Sequence, residues 1–543
     1  MSSSASRISF LWMLGFGMLA LGLNDPQFTQ MLLTPRIFPL KILSSSQFVI
    51  RKTENSNIAP TMNNEPHLPS NSVTQPVKTN FPQAAKQQSC DASEISLLHR
   101  SLLTRPHTVE FASGSYLFLA NGRKILDGCG GAAVSIIGHG NSEVTSAVLT
   151  QMQKVSYVHT ATYTTSSAED LAHFLLHDPT STFEHHLEKA YFVGSGSEAN
   201  DSAMKLARQY FVEKGELDRT IFVARRQGYH GSTVGAMSIS ANVARKVQFE
   251  GVLTLPNVVH VAPAYAYQYK LDSETEVEYS ERLVRELDEE FQRLGPENVI
   301  AFFAETVVGA TTGCVTAPPG YFAGVRKVCD KYGILFILDE VMCGMGRTGT
   351  TFAFEQEDVV PDIVSIGKGL GGGYAPIAGV LVGKKVVDVL RAGTAAFNHG
   401  HTYQAHPVSC AAALAVQTIV RREKLVDQCR ESGKLLERML RARLESKKYV
   451  GDIRGRGLFW GVEFVKNKEI RVPFPKVVAF GHRLQQKIFD LGVAVYPGTG
   501  TVDGVKGDHI LISPPFNVSA DELELIVDAL ARAYVSTEKE VDG

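Results

Sequence analysis

Residues 334–339 read Ile-Leu-Phe-Ile-Leu-Asp, five apolar residues in succession ending on a carboxylate. A run this short and this uniformly apolar is the pattern of a strand buried on both faces, as in a parallel sheet covered by helices. Residues 190–193, 221–224, 299–304 and 363–366 repeat it, and each run leads into polar or glycine-rich residues and then a helical pattern. Strands alternating with helices predict an α/β chain with a mostly parallel sheet. In such sheets the ligand crevice lies beyond the carboxyl ends of the strands, so the residues just past each run are where a site is to be sought.

Those residues are Gly194-Ser195-Gly196-Ser197, Tyr229-His230-Gly231, Glu305, Asp339 and Lys368. They amount to an anion cradle, an aromatic ring, two carboxylates and an amine. Gly196 and Ser197 precede residues 198–211, where Ala199, Ala203, Ala207 and Phe211 recur at four-residue spacing. This is an amphipathic helix, and free N–H groups at the positive end of its dipole suit a phosphate. An ordinary N-cap serine is the alternative. Asp339, at the mouth of a buried strand, needs a cation or donors to stay ionised. A protonated ring nitrogen or a structural arginine would serve, and the neighbouring Glu340, on the opposite side, competes for the role. Lys368 lies in DIVSIGKGLGGGYAP (362–376) between a strand and a glycine-rich turn. A lysine held in a crevice loses its charge by desolvation and becomes a Schiff-base nucleophile; the alternative is a solvated turn lysine. Gly367, Gly369 and Gly372 also satisfy G-x-G-x-x-G, with Asp388 downstream, the mark of a dinucleotide enzyme. Pro376 interrupts the helix that motif must open, and residues 377–382 read as another strand, so that reading fails.

The chain has 543 residues, with 54 Lys+Arg against 56 Asp+Glu and a formal net charge of −2. That balance gives no electrostatic reason to expect nucleic acid. Its length corresponds to about three domains. The seven cysteines are scattered and form no C-x-x-C, so neither a disulfide scaffold nor a metal site is expected. His185 and His186 lack ligand spacing and read as solvated surface. Residues 1–53 contain an apolar run of sixteen, residues 8–23, in a basic, serine-rich context. A signal peptide or anchor, a mitochondrial leader and a start placed too far upstream all remain open. Residues 54–90, with five prolines and six asparagines, read as a linker. Asn200 and Asn517 are formal glycosylation acceptors, but Asn200 falls at a helix start, which argues against a secretory lumen and for a cytosolic or mitochondrial protein.

The segments FVGSGSEAN (192–200), GYHGST (228–233), ILDEVMCGMGRTG (337–349), PDIVSIGKGLGGGYAPI (361–377), HGHTYQAHP (399–407) and IRGRGLFWGVEF (453–464) together resemble the class III aminotransferases of the fold-type I pyridoxal-phosphate family. The likeness spans about residues 114–516 and implies a large cofactor-binding domain over 151–420, with a seven-stranded, mostly parallel sheet. It implies a smaller α+β domain from 91–150 and 421–543. By this resemblance Lys368 carries pyridoxal 5'-phosphate as an internal aldimine and shuttles a proton, and Asp339 pairs with the pyridinium nitrogen. Val341 and Tyr229 flank the ring, Gly196 and Ser197 hold the phosphate, and His230 and Glu305 join the cofactor-binding set. Thr402 reaches the phosphate of the partner subunit, so a homodimer is implied, acting on an amine donor and an oxo-acid or ketone acceptor. An aminomutase, a racemase or a decarboxylase would use the same Lys368 and Asp339.

Departures from the family pattern narrow the substrate. ILISPPF (510–516) puts Leu511 where ornithine-type members carry the arginine that clamps a substrate carboxylate. Met342 replaces their glutamine, and both changes resemble the ω-amine:pyruvate and diaminopelargonate-type members. Thr306 replaces the usual proline after Glu305, and without the clamp Glu305 loses its family partner. Arg347 and Arg454 are expected to be structural.

Overall fold

The computed structural model describes residues 96–178, 183–255 and 257–543. The apolar run 8–23, the linker 54–90 and Cys90 lie outside the described residues. The described part falls within one unit, Phe81–Gly543, organised around a central sheet of seven strands: β1 (Leu187–Val193), β2 (Ile221–Arg225), β3 (Val258–Val261), β4 (Val299–Glu305), β5 (Leu335–Asp339), β6 (Ile363–Ile366) and β7 (Ala378–Gly383). Their order across the sheet is β1-β7-β6-β5-β4-β2-β3. Six strands run the same way, and β7 alone is antiparallel to its neighbours β6 and β1. Pro376 stands just before β7, and Lys368–Leu370 is a single 3-10 turn, so no helix follows the glycine motif.

The unbroken apolar runs have a direct cause. Phe302, Ala304, Phe336 and Leu338 face one core, while Ala301, Phe303, Leu335 and Ile337 face another. Alternate residues of each strand are therefore buried on opposite sides, and no polar face is left to show a period of two. Helix α1 (Gly196–Glu213) covers the second of these faces with Ala199, Ala203, Ala207 and Phe211. It begins two residues before the expected start. Its N-cap is Ser195, whose hydroxyl accepts from the Glu198 N–H, so Ser197 is not the cap.

A further core draws on both ends of the described chain. Leu126, Ile136 and Val144 pack there with Leu436, Leu440, Phe464, Ile512, Ile526 and Leu530. Val493–Ala494 adds a parallel strand to Lys124–Asp127, which ties the two ends by backbone hydrogen bonds as well. Among the described residues six cysteines are free and buried, no cluster of side chains is arranged to hold a metal, and no helix is long and apolar enough to cross a membrane.

Candidate active site

Strand register brings the two carboxylates together, because Asp339 at the end of β5 pairs directly with Glu305 at the end of β4. Asp339 is buried, and three donors hold its carboxylate. Oδ1 accepts from the Val341 N–H at 3.0 Å, and Oδ2 accepts from Asn200 Nδ2 at 2.8 Å. His230 Nδ1 lies 2.9 Å from the same Oδ2. Asn200 also donates to the His230 carbonyl at 2.6 Å, and Phe303 meets the imidazole edge-on at 4.7 Å. The carboxylate therefore has one position and one orientation. A glutamate side chain, one methylene longer, would not keep these bonds.

Asn200, which the sequence offers only as a formal glycosylation acceptor, belongs to this group as a donor to Asp339. At 1% exposure it is closed to a glycan. The available signal was a polar amide on an otherwise small-residue, core-facing stretch of α1.

Lys368 follows β6 in the left-handed region, with φ of 43°, and stays partly exposed in the crevice. Desolvation pulls its ammonium pKa from 10.5 down to about 8, against the attraction of Asp339 and Glu305. Val341 is wedged between two glycines. A Cβ on Gly196 would lie 2.7 Å from Val341 Cγ1, and one on Gly367 would lie 3.2 Å from it. At the start of α1 the N–H groups of Gly196 and Ser197 have no intrahelical acceptor. Ser197 Oγ accepts from the Ser232 N–H at 2.9 Å, and Ser232 Oγ lies 2.8 Å from the Tyr229 hydroxyl. The Gly196-Ser197 turn, Tyr229, His230, Glu305, Asp339, Val341 and Lys368 are thus gathered at one end of the sheet. Thr402 is exposed in the 400–406 loop and is not hydrogen-bonded to this group among the described residues.

Other expectations need correction or sharpening. Glu340 does not compete with Asp339. It is fully buried and accepts from Thr306 Oγ1 at 2.8 Å and from the Ala353 and Phe354 N–H groups at 2.7 Å each. Burial raises its carboxyl pKa to about 8 despite those donors. Glu305 is not stranded without the clamp arginine: Oε1 accepts from the Tyr229 N–H at 3.1 Å and Oε2 from the Gly309 N–H at 2.9 Å. Burial raises its pKa too, opposed by His230 and reinforced by Asp339. Leu511 is fully buried in an apolar cluster with Val307, Met342 and Phe459. Arg347 donates to the Leu458 and Pro514 carbonyls, and Arg454 pairs with Asp452 and Glu463, so both are structural. His185 is half-buried against the Phe352 ring, 6.1 Å away, and is not solvated surface; His186 is exposed.

The arrangement offers a low-pKa amine, a carboxylate fixed by three donors and a helix N-terminus free to take an anion. These are the parts needed to hold a phosphorylated pyridine aldehyde. The backbone at Gly196 and Gly231 is already closed against Val341 and Ser197, as a snug cradle requires: a Cβ on Gly231 would lie 2.5 Å from Ser197 Oγ.

Comparison with known proteins agrees with this chemistry. The family model for class III aminotransferases matches residues 100–534. An uncharacterised aminotransferase of Schizosaccharomyces pombe is 48% identical over 451 residues, 83% of this chain and 97% of that protein. An (S)-enantioselective ω-transaminase from Thermomicrobium roseum superposes with a TM-score of 0.75 at 34% identity, covering 82% of this chain and 97% of its own. The ω-transaminase of Pseudomonas jessenii, solved with pyridoxamine phosphate, superposes at 0.74 with 30% identity over 80% and 94% of the two chains. The chain therefore belongs to the class III aminotransferases and is a fold-type I, pyridoxal-phosphate-dependent transaminase.

Proposed function

We propose that Lys368 and Asp339 are the catalytic pair, and that the enzyme prefers an amine whose far end is neutral. When bound, pyridoxal phosphate supplies an electron sink next to the carbon that carries the amino group. Asp339, fixed by Asn200, His230 and the Val341 N–H, is suited to hold the proton on the pyridine nitrogen. Gly196, Ser197 and the start of α1 are suited to the phosphate, and Val341 and Tyr229 to the two faces of the ring. Glu305 and His230 line the same end. Glu305 tethers the Tyr229 and Gly309 backbone, and His230 steadies Asp339. Lys368, neutral in an appreciable fraction of molecules near pH 8, would take a proton from the substrate carbon that carries the amino group and deliver it across the nitrogen, a 1,3-transfer. The observation that carries this reading is the triply bonded Asp339 at the strand end, one strand from Lys368.

Two finer points belong to the same proposal. Thr402 is exposed beside Tyr403, and Tyr157 meets Tyr403 edge-on at 6.1 Å. This aromatic surface supports a homodimer in which Thr402 completes the partner's phosphate site. Leu511 closes the position of a carboxylate clamp with apolar contacts. A carboxylate placed there would forgo two charge-assisted bonds of about 1.5–3 kcal/mol each and be desolvated as well. The test is a donor panel, read as ketone formed only when an oxo-acid acceptor is present. A neutral amine should outrun a carboxylate-bearing amine of equal length. Acetylornithine as the best donor would refute the Leu511 argument.

A further inference from the structure

Lys368 stands in the left-handed region, which a residue with a Cβ adopts only where its surroundings hold it there. Its own carbonyl accepts from the Gly371 N–H at 3.2 Å and the Gly372 N–H at 3.1 Å. The next two carbonyls, of the buried Gly369 and Leu370, receive no backbone donor from the turn that follows. Left bare, two buried carbonyls would favour another backbone conformation. Helix α2 (Pro407–Arg422) packs across this turn, and Gln417 Nε2 donates to the Gly369 and Leu370 carbonyls at 2.9 Å each. Both N–H groups of the amide are thereby used. Gln417 is 5% exposed and is the one amide on the otherwise apolar buried face of α2. Val416 beside it lies against the same turn, since a Cβ on Gly372 would lie 3.2 Å from Val416 Cγ1. Packing brings the helix to the turn, but only the amide can fix its carbonyls. Gln417 also lines a cavity of about 500 Å3 shared with Thr350, Arg421 and Arg430, which none of the crevice residues lines. It therefore reaches the site only through the turn.

We propose that Gln417 is a positioning residue for the reaction: by bonding the Gly369 and Leu370 carbonyls it keeps Lys368 in its left-handed conformation, with its amine presented to the crevice. The inference rests on the assignment of Lys368 as the reacting lysine. An amide suits this task because it offers two donors and no charge. A methionine of the same length would pack as well and offer none. A glutamate would offer one O–H while protonated, and once ionised would set a carboxylate against two carbonyl oxygens. The two substitutions thus separate packing from hydrogen bonding.

The experiment uses the full-length protein and its Gln417→Met and Gln417→Glu variants, freed of cofactor, with pyridoxal phosphate as the probe. The rate of aldehyde capture is followed by absorbance between about pH 6 and pH 10. Each rate is divided by that of the wild type at the same pH, which cancels the titration of Lys368 itself. Gln417→Met should slow capture at least about tenfold at every pH. Gln417→Glu should lie nearer the wild type at low pH and fall away from it as pH rises and the new carboxyl ionises. Urea unfolding of the same samples reads stability separately. A role in folding alone would lower stability and leave the relative capture rates flat with pH. Wild-type capture by a folded Gln417→Met variant would overturn the proposal, and so would a flat ratio for Gln417→Glu. If Gln417→Met does not fold, the Gln417→Glu profile decides alone. Borohydride reduction and peptide mapping of the wild-type adduct keep the two claims apart. An adduct on a lysine other than Lys368 would overturn that assignment and this proposal with it, an outcome distinct from the others.

Discussion

The Lys368 ammonium is set off from an ordinary lysine by desolvation more than by any single partner. Desolvation in the crevice lowers its pKa from 10.5 to about 8, while Asp339 and Glu305 pull the other way. Capture of an aldehyde by the cofactor-free protein should therefore rise with pH to a midpoint near 8 and level off, and not climb toward 10.5. Asp339→Asn removes a charge that favours the ammonium, so the midpoint should move lower; an unmoved midpoint would show that the two groups do not communicate. The sign for stability follows. The folded state binds fewer protons at this lysine than the unfolded chain, so the cofactor-free protein gains stability as pH rises between about 8 and 10.5. Asp339 is legible in the sequence because it stands immediately after an apolar run, and Lys368 because it follows one, past Gly367, at a glycine-rich turn. Asn200 was not, because its role arises only when β5 and the loop after β2 are brought against α1.

The ends of β4 and β5 illustrate how neighbouring carboxylates are separated into tasks. Asp339 and Glu340 are adjacent, so the strand turns their side chains to opposite sides. One meets the crevice, and the other meets the 353–354 backbone and Thr306. Glu340 therefore anchors the segment after β5 that carries Val341 and Met342. Glu340→Ala would strand two buried N–H groups at about 1–3 kcal/mol each, and chemical denaturation should show a loss of that size. A change within about 0.5 kcal/mol would mean water replaces the carboxylate without cost. β4 and β5 are legible in the sequence because both their faces are buried, whereas the edge strand β3, only half-buried along its length, leaves no such run and is not expected from the sequence. The two-residue error at the start of α1 has a local cause, since Ser195 and Ser197 are equally good caps by type. Only the Ser195 hydroxyl meets the Glu198 N–H, while Ser197 turns to Ser232.

At the scale of the molecule, one end of one sheet gathers the candidate site residues of the described chain, and Thr402 stands apart from them in the 400–406 loop. The core built from both chain ends was legible only through family resemblance, because contacts such as Leu126 with residues beyond 490 leave no local pattern. If Thr402 serves the partner, mixing Lys368→Ala with Thr402→Ala subunits should restore activity, because each mixed dimer regains one intact site; about a quarter of wild-type activity is expected. No gain on mixing would place Thr402 outside the partner's site. The most direct measurement is the covalent one. The purified protein, reduced with borohydride and mapped by peptide mass, should carry the cofactor on the peptide containing Lys368, and Lys368→Ala should carry none. A reduced adduct on any other lysine would contradict the account.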